Sequence, residues 1–141
     1  MKYVLRSMLA MLPVLSMAAP AMAHNEDQLV NTEWVLVAIV EGTTTSPPVG
    51  RTTTLELRED GTARGQGPCR GYRGSYEVEG HTLSISSVVN TTKPLCPGAT
   101  EEQEARYFES LESANSFDIT EGELTIVYGE GQGTLIFASG N

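Results

Sequence analysis

Few residues in this 141-residue chain have types that suggest chemistry, and they are two cysteines, two histidines and a surplus of carboxylates. Cys69 and Cys96 are not spaced as C-x-x-C, and neither has a histidine close by in sequence. That spacing disfavours a redox motif or a zinc site. His24 and His81 are the only imidazoles. At a processed N-terminus, the amine and ring of His24 together would chelate copper, but His81 falls at a turn, and two surface histidines are the plainer reading. Glu101, Glu102, Glu104 and Glu109 fall on one helical segment and read as solvated surface. Glu56 and Glu77 sit in strands between apolar neighbours and face either a cavity or water, since antiparallel sheets allow one wet side. The Gly129–Gly133 stretch resembles a phosphate loop only superficially, because it lies between strands with no helix N-terminus to hold an anion. No G-x-S-x-G elbow, H-E-x-x-H pair or glycine-rich loop opening a helix occurs. Nucleophile, base and oxyanion donors do not come together in any constellation. The expectation is therefore no catalytic residue, no metal and no cofactor.

The elements that would position such residues begin with an export signal. Lys2 and Arg6 precede a mostly apolar run from Val4 to Met17, and Ala21-Met22-Ala23 offers a small-x-small cleavage pattern. Residues 1–23 thus read as a leader and 24–141 as one domain, with roughly 120 residues for a modest core. The apolar run is short for a membrane span, and no cysteine stands at the cleavage point, so neither membrane insertion nor a lipid anchor (no lipobox) is expected. The chain should be soluble, monomeric, and periplasmic or secreted. In that oxidising setting two cysteines read as one disulfide, worth roughly 3–4 kcal/mol in the chain-entropy picture. The net charge of −9 becomes −11 once Lys2 and Arg6 leave with the leader. Such acidity disfavours nucleic acid and anionic membranes as partners, maintains solubility, and would suit a protein partner with a basic surface.

Periodicity supplies the fold. Glu33 to Val40 is a continuous apolar run expected to form a strand buried on both faces. The next stretch, Gly42 to Arg51, contains Thr43, Thr44, Thr45, Ser46, Pro47, Pro48 and Val49 and reads as a loop without regular structure. Thr53, Leu55 and Leu57 then alternate with Thr54, Glu56 and Arg58 up to an Asp60-Gly61 hairpin turn. Tyr76 and Val78 pair with Leu83 and Ile85 across Glu79-Gly80, and Val88 to Thr92 suggests a further short strand. One helix follows: Thr100 and Gln103 form a capping box, and Ala105, Phe108 and Leu111, with Tyr107 beside them, make an apolar stripe for docking on a sheet. Phe117-Ile119, Leu124-Tyr128 and Leu135-Phe137 return to strands. The fold class is mainly β (α+β), an antiparallel β-barrel or half-barrel of about seven to nine short strands with one helix covering an end.

The densest segment runs from Gly65 to Tyr76 and packs four glycines, Pro68, Cys69 and two tyrosines together. Its glycines argue for positive φ or close backbone approach, and Tyr72 and Tyr76 should share one strand face. With Glu33-Trp34-x-Leu36 before it and Thr92-x-x-x-Cys96-Pro97 after it, the pattern Gly65-x-x-x-Cys69-x-x-Tyr72-x-Gly74-x-Tyr76 resembles the META/HslJ domain. The resemblance runs from about Leu29 to Ala138 and includes the Glu-rich helix carrying Phe108 and Leu111. It implies a small barrel-like bacterial envelope domain linked to heat-shock or stress response and antibiotic tolerance. No catalytic residue comes with it, and Trp34, Gly65, Tyr72, Gly74, Tyr76 and Pro97 would be scaffold. The family usually has asparagine after the first cysteine; Arg70 stands there, so it must close the turn differently.

Three functions follow as expectations. The first is a non-enzymatic exported protein acting through its surface in envelope stress. The second is an inhibitor of a basic hydrolase such as a lysozyme or protease, with Thr43–Val49 entering the cleft. The third is a small-ligand carrier, which needs a barrel cavity too large for its own side chains.

Overall fold

The computed structural model describes residues 26–140, together with the isolated Pro13. The expected leader and His24, and with it any copper site shared with His81, lie outside the described residues. After a helical turn at 26–29 the chain forms β1 (Trp34–Glu41), β2 (Thr44–Ser46), β3 (Thr54–Leu57), β4 (Thr62–Gln66), β5 (Gly71–Glu79) and β6 (Thr82–Asn90). Helix α1 (Gly98–Glu112) follows, then β7 (Ala114–Thr120), β8 (Glu123–Tyr128) and β9 (Gly133–Ser139). All strand pairs are antiparallel, in the order β1-β3-β4-β5-β6-β7-β8-β9, and β9 pairs back onto β1. Eight strands therefore close a barrel, which removes the exposed edges an open sheet would present. The ninth, β2, is an extra strand on the edge of β1 that β3 leaves free: β3 takes Trp34 and Val35, and β2 takes Ile39 to Glu41.

Turn chemistry sets these pairings. Gly61 lies at φ 87° in the β3–β4 turn and Gly80 at φ 60° in the β5–β6 turn, conformations that cost glycine little. Alternation then places Leu55, Leu57, Ala63, Leu83, Ile85, Leu124, Ile126, Leu135 and Phe137 inside. Strand β1 departs from the expectation of burial on both faces. A bulge against β9 between Leu36 and Ala38 keeps Trp34, Leu36 and Ile39 on the inner face, while Val37 is 49% exposed and Ala38, although buried, pairs with Ile136 on the outer face. The extra residue hides the alternation and makes a one-sided strand read as two-sided. The stretch 42–51 is likewise not wholly irregular, since Thr44–Ser46 pairs with β1. Val88 to Asn90 is no separate strand but the end of β6, reached through Ser87 at φ 58°.

Helix α1 bridges β6 to β7 across one barrel end. Tyr107 and Leu111 enter the core from it, with Phe108 packed beside them, whereas Ala105 faces out. The expected capping box does not form: the N-cap is Pro97, with no side-chain cap. Gln103 turns inward instead and spends its amide on the β2–β3 connection. At the opposite end Leu29 is fully buried, Trp34 Nε1–H donates to its carbonyl at 3.0 Å, and Val30 bridges Leu57. No helix among the described residues is long and apolar enough to cross a membrane.

Candidate functional site

Two polar assemblies stand out, one tying the helix to the barrel and one on the outer wall. The first is built by the turn between β4 and β5. Glu104, only 1% exposed, reaches from α1 so that its Oε2 accepts the backbone N–H of Cys69 at 2.8 Å and of Arg70 at 2.7 Å. Its Oε1 accepts Arg70 Nη1–H at 3.1 Å, and Arg70 Nη2 approaches Glu101 at 3.4 Å. Glu104 was expected in water; it is drawn inside because two otherwise unpaired N–H groups and a guanidinium offset its desolvation. Arg70 thus holds the turn through the helix rather than through a short side-chain bond of its own. Cys69 and Cys96 are joined across a Cα–Cα distance of 6.0 Å, pinning the segment before α1 to the same turn. Thr92 Oγ1 accepts Gly71 N–H at 3.0 Å, a further tie.

Of the family-motif residues, Gly65, Tyr72 and Pro97 lie at this knot, whereas Trp34 and Tyr76 lie toward the opposite barrel end. Tyr72 and Tyr107 meet inside the barrel end, hydroxyl to hydroxyl at 2.8 Å, and Tyr72 O–H donates to the Thr54 carbonyl at 2.7 Å. That carbonyl lacks its ladder partner because β3 and β4 fork here, Gln66 N–H having turned to Thr54 Oγ1 at 3.0 Å. Gly65 makes room for the arrangement: a Cβ there would collide with the Thr54 carbonyl and crowd the Tyr72 hydroxyl. The glycines of this segment serve close approach, not positive φ, which belongs to others in the chain. Tyr76 shares the inner face and donates its O–H to the Arg58 carbonyl. Burial pushes the Tyr72 phenol well above its ordinary range, with the neighbouring Tyr107 adding to the effect, and burial raises Tyr107 as well.

The second assembly is a cleft of about 630 Å³ on the outer face of β3, β4 and β5. The register Glu56↔Arg64↔Arg73 sets these side chains in one row across three strands, with Arg58 and Asp60 at the β3 end. Glu56 Oε1 lies 3.0 Å from Arg58 Nη1 and 3.6 Å from Arg64 Nη2, so one half-buried carboxylate serves two guanidiniums. Arg73 makes no ion pair among the described residues. Asp60 is held below its ordinary range chiefly by hydrogen bonds from Thr62, with the charges of Arg58 and Arg73 adding to the effect. Of the two strand carboxylates left open above, Glu56 belongs to this cleft and Glu77 is exposed.

Sequence reading missed the arginines. A two-residue Asp60-Gly61 turn would set Glu56 opposite Gly65; the hairpin instead closes with Arg58 bonded to Thr62 around Glu59-Asp60-Gly61, which brings Arg64 opposite Glu56. Arg64 opposite Arg73 depends on the irregular Gly67–Arg70 connection. The expected partner segment is spread over two settings. Thr43, Thr44 and Thr45 are exposed on the β1–β2 hairpin, whereas the Pro47 carbonyl and Val49 N–H are held by Gln103 at 2.9 and 2.8 Å. Pro48 and Ser46 are half-buried between them.

A closed antiparallel barrel stoppered by one disulfide-tied helix defines a class of small β-barrel modules. The chain belongs to the META domain family, whose sequence profile matches residues 27–140. Solved structures repeat the architecture. One determined by NMR on a protein from Burkholderia xenovorans superposes with a TM-score of 0.67 at 24% identity, covering 82% of this chain and 86% of that one. A DUF4847 family protein from Bacteroides vulgatus gives 0.59 at 16% identity, with 80% and 95% covered. Both likenesses speak to the fold alone. No functionally curated protein matches the chain.

Proposed function

We propose that this protein is an exported, non-enzymatic META-domain protein of the bacterial envelope, acting by binding at its outer surface in stress response or antibiotic tolerance. The observation that carries the reading is the filled barrel: Trp34, Tyr72, Tyr107 and Phe137, each no more than 2% exposed, occupy the interior with their aliphatic neighbours. Recognition then falls to the outer wall and the loops, which also argues against the interior-carrier reading. The Cys69–Cys96 bridge supports an oxidising compartment. Cell fractionation of the native host tests export. The mature chain should start near His24, lie in the periplasmic or secreted fraction, and show no titratable thiol before reduction. An uncleaved, thiol-bearing chain in the cytoplasm would overturn it. A deletion strain should grow normally unstressed and lose tolerance under envelope stress.

One observation favours inhibition of a basic hydrolase as a second reading. The Thr43–Thr45 tip is exposed, while its base is clamped by pairing with β1 and by the two Gln103 bonds, so little order is lost on entering a cleft. A single hydrolase recovered in equal amount on the immobilised mature protein would select this reading; recovery unaffected by Thr44→Asp and Thr45→Asp would reject that loop.

A further inference from the structure

Nine lysines and arginines occur in the chain, and seven remain beyond the leader that holds Lys2 and Arg6. Three of those seven, Arg58, Arg64 and Arg73, line a single cleft on an acidic protein. Their placement works against folding stability. Arg64 and Arg73 are directly opposite in an antiparallel pair, a position where like charges repel. With carboxylates in surplus, a cross-strand acid opposite Arg64 would be the stabilising choice on the β5 side. Instead the acid sits only on the β3 side, where Glu56 is shared between Arg58 and Arg64 at 3.0 and 3.6 Å. That carboxylate holds two guanidiniums in place, and Arg73 makes no ion pair among the described residues. The other acids lining the cleft, Asp60 and Glu33, are not ion-paired to these arginines, although the Arg58 and Arg73 charges reach Asp60.

We propose that the outer wall of β3–β5 binds a small molecule through an anionic oxygen group, a phosphoryl or carboxylate, received between Arg64 and Arg73. Planar guanidinium forks match the paired oxygens of such groups and make the stronger class of charge-assisted bonds. The cleft volume of about 630 Å³ lies within the range of small-molecule sites and exceeds what a bare phosphate fills, so the remainder of the ligand would lie along the polar side chains of Thr54, Thr62 and Gln66. The occupant is a dissolved small molecule rather than a membrane, because the protein's overall negative charge opposes an anionic lipid surface while a compact anion reaches the local arginine row. The inference rests on the reading of a protein that binds from its outer face, but the two fail separately: fractionation decides export, and titration of the purified protein decides the cleft.

The test is an NMR titration of the oxidised mature protein with inorganic phosphate, glucose 6-phosphate and succinate at constant ionic strength. Saturable amide shifts confined to β3, β4 and β5 are expected. Arg73→Gln should weaken binding at least tenfold, whereas Arg106→Gln, on the exposed helix surface, should leave it unchanged. Glu56→Gln should alter the affinity by freeing Arg64 from its internal competitor, in the direction of tighter binding. Arg73→Glu should raise the melting temperature without ligand and abolish the shifts, which separates a site maintained at some cost to stability from a misfolded variant. Shifts scattered over the surface, or equal in the wild type and Arg73→Gln, would overturn the proposal. So would sedimentation with vesicles rich in anionic lipid when none of the three small anions binds.

Discussion

Glu104 is a nearly fully buried carboxylate that shapes the turn beside it. One carboxylate accepts two backbone N–H groups and a guanidinium, so the turn after β4 takes its shape from a residue of the helix. Hydrogen bonds to a charged partner contribute about 1.5–3 kcal/mol each, and leaving buried donors empty costs a comparable amount. The tyrosine pair gives the residue scale its pH dependence. Tyr72 and Tyr107 are both raised above the ordinary phenol value of 10.0, chiefly by burial, so the folded state holds their protons more tightly than the unfolded chain does. Their contribution to stability is therefore complete below pH 10 and is lost as pH climbs from there toward the folded values. Tyrosinate absorbance at 295 nm should show these two phenols ionising only together with the loss of folded circular dichroism. Tyr107→Phe, which deletes one of the two ionisations, should move the alkaline unfolding midpoint upward. Early ionisation of all the tyrosines in a still-folded protein would contradict the buried pair.

Among the elements, α1 is the one whose position has to be enforced, because strands pair with neighbours while a helix lying across a barrel end has no ladder to join. Several ties hold it: the Cys69–Cys96 bridge just ahead of it, Glu104 on the β4–β5 turn, Gln103 on the β2–β3 connection, the Tyr107 hydroxyl on Tyr72, and Glu112, whose Oε1 accepts the Val88 N–H at 2.9 Å. The bridge spans 27 residues of sequence, and its loss costs roughly 3–4 kcal/mol through the unfolded chain. Cys96→Ser is the cleaner variant, since Cys69 is buried and Cys96 is not. It should lower the melting temperature by on the order of 10 °C in calorimetry. Its folded circular dichroism should stay unchanged, because the Glu104 and Gln103 ties remain. Loss of the fold at room temperature would mean that the sulfur bridge, not the polar ties, seats the helix.

For the molecule as a whole, closure of the barrel and its negative charge matter most. With a net charge near −11 over residues 24–141, self-repulsion opposes the compact state, and added salt screens it. Raising sodium chloride from 10 to about 150 mM, where the Debye length shrinks to ~8 Å, should raise the melting temperature; a fall would show that surface ion pairs outweigh the repulsion. Much of the architecture could be read from one dimension. Alternation at Leu55-Leu57, Leu83-Ile85, Leu124-Ile126 and Leu135-Phe137, with glycine turns between them, already implies antiparallel strands, because period and turn geometry are local properties. The segment around Cys69 and the later Cys96-Pro97 already pointed to the META domain, as the profile match bears out. What local pattern could not convey was the in-turned Glu104, the one-sided β1 and the row Glu56–Arg64–Arg73. The in-turned Glu104 and the one-sided β1 depend on contacts between residues far apart in the chain, the helix laid across the barrel end and β9 closed onto β1. The row depends instead on the lengths and shapes of the β3–β4 and β4–β5 connections, which alternation alone does not fix.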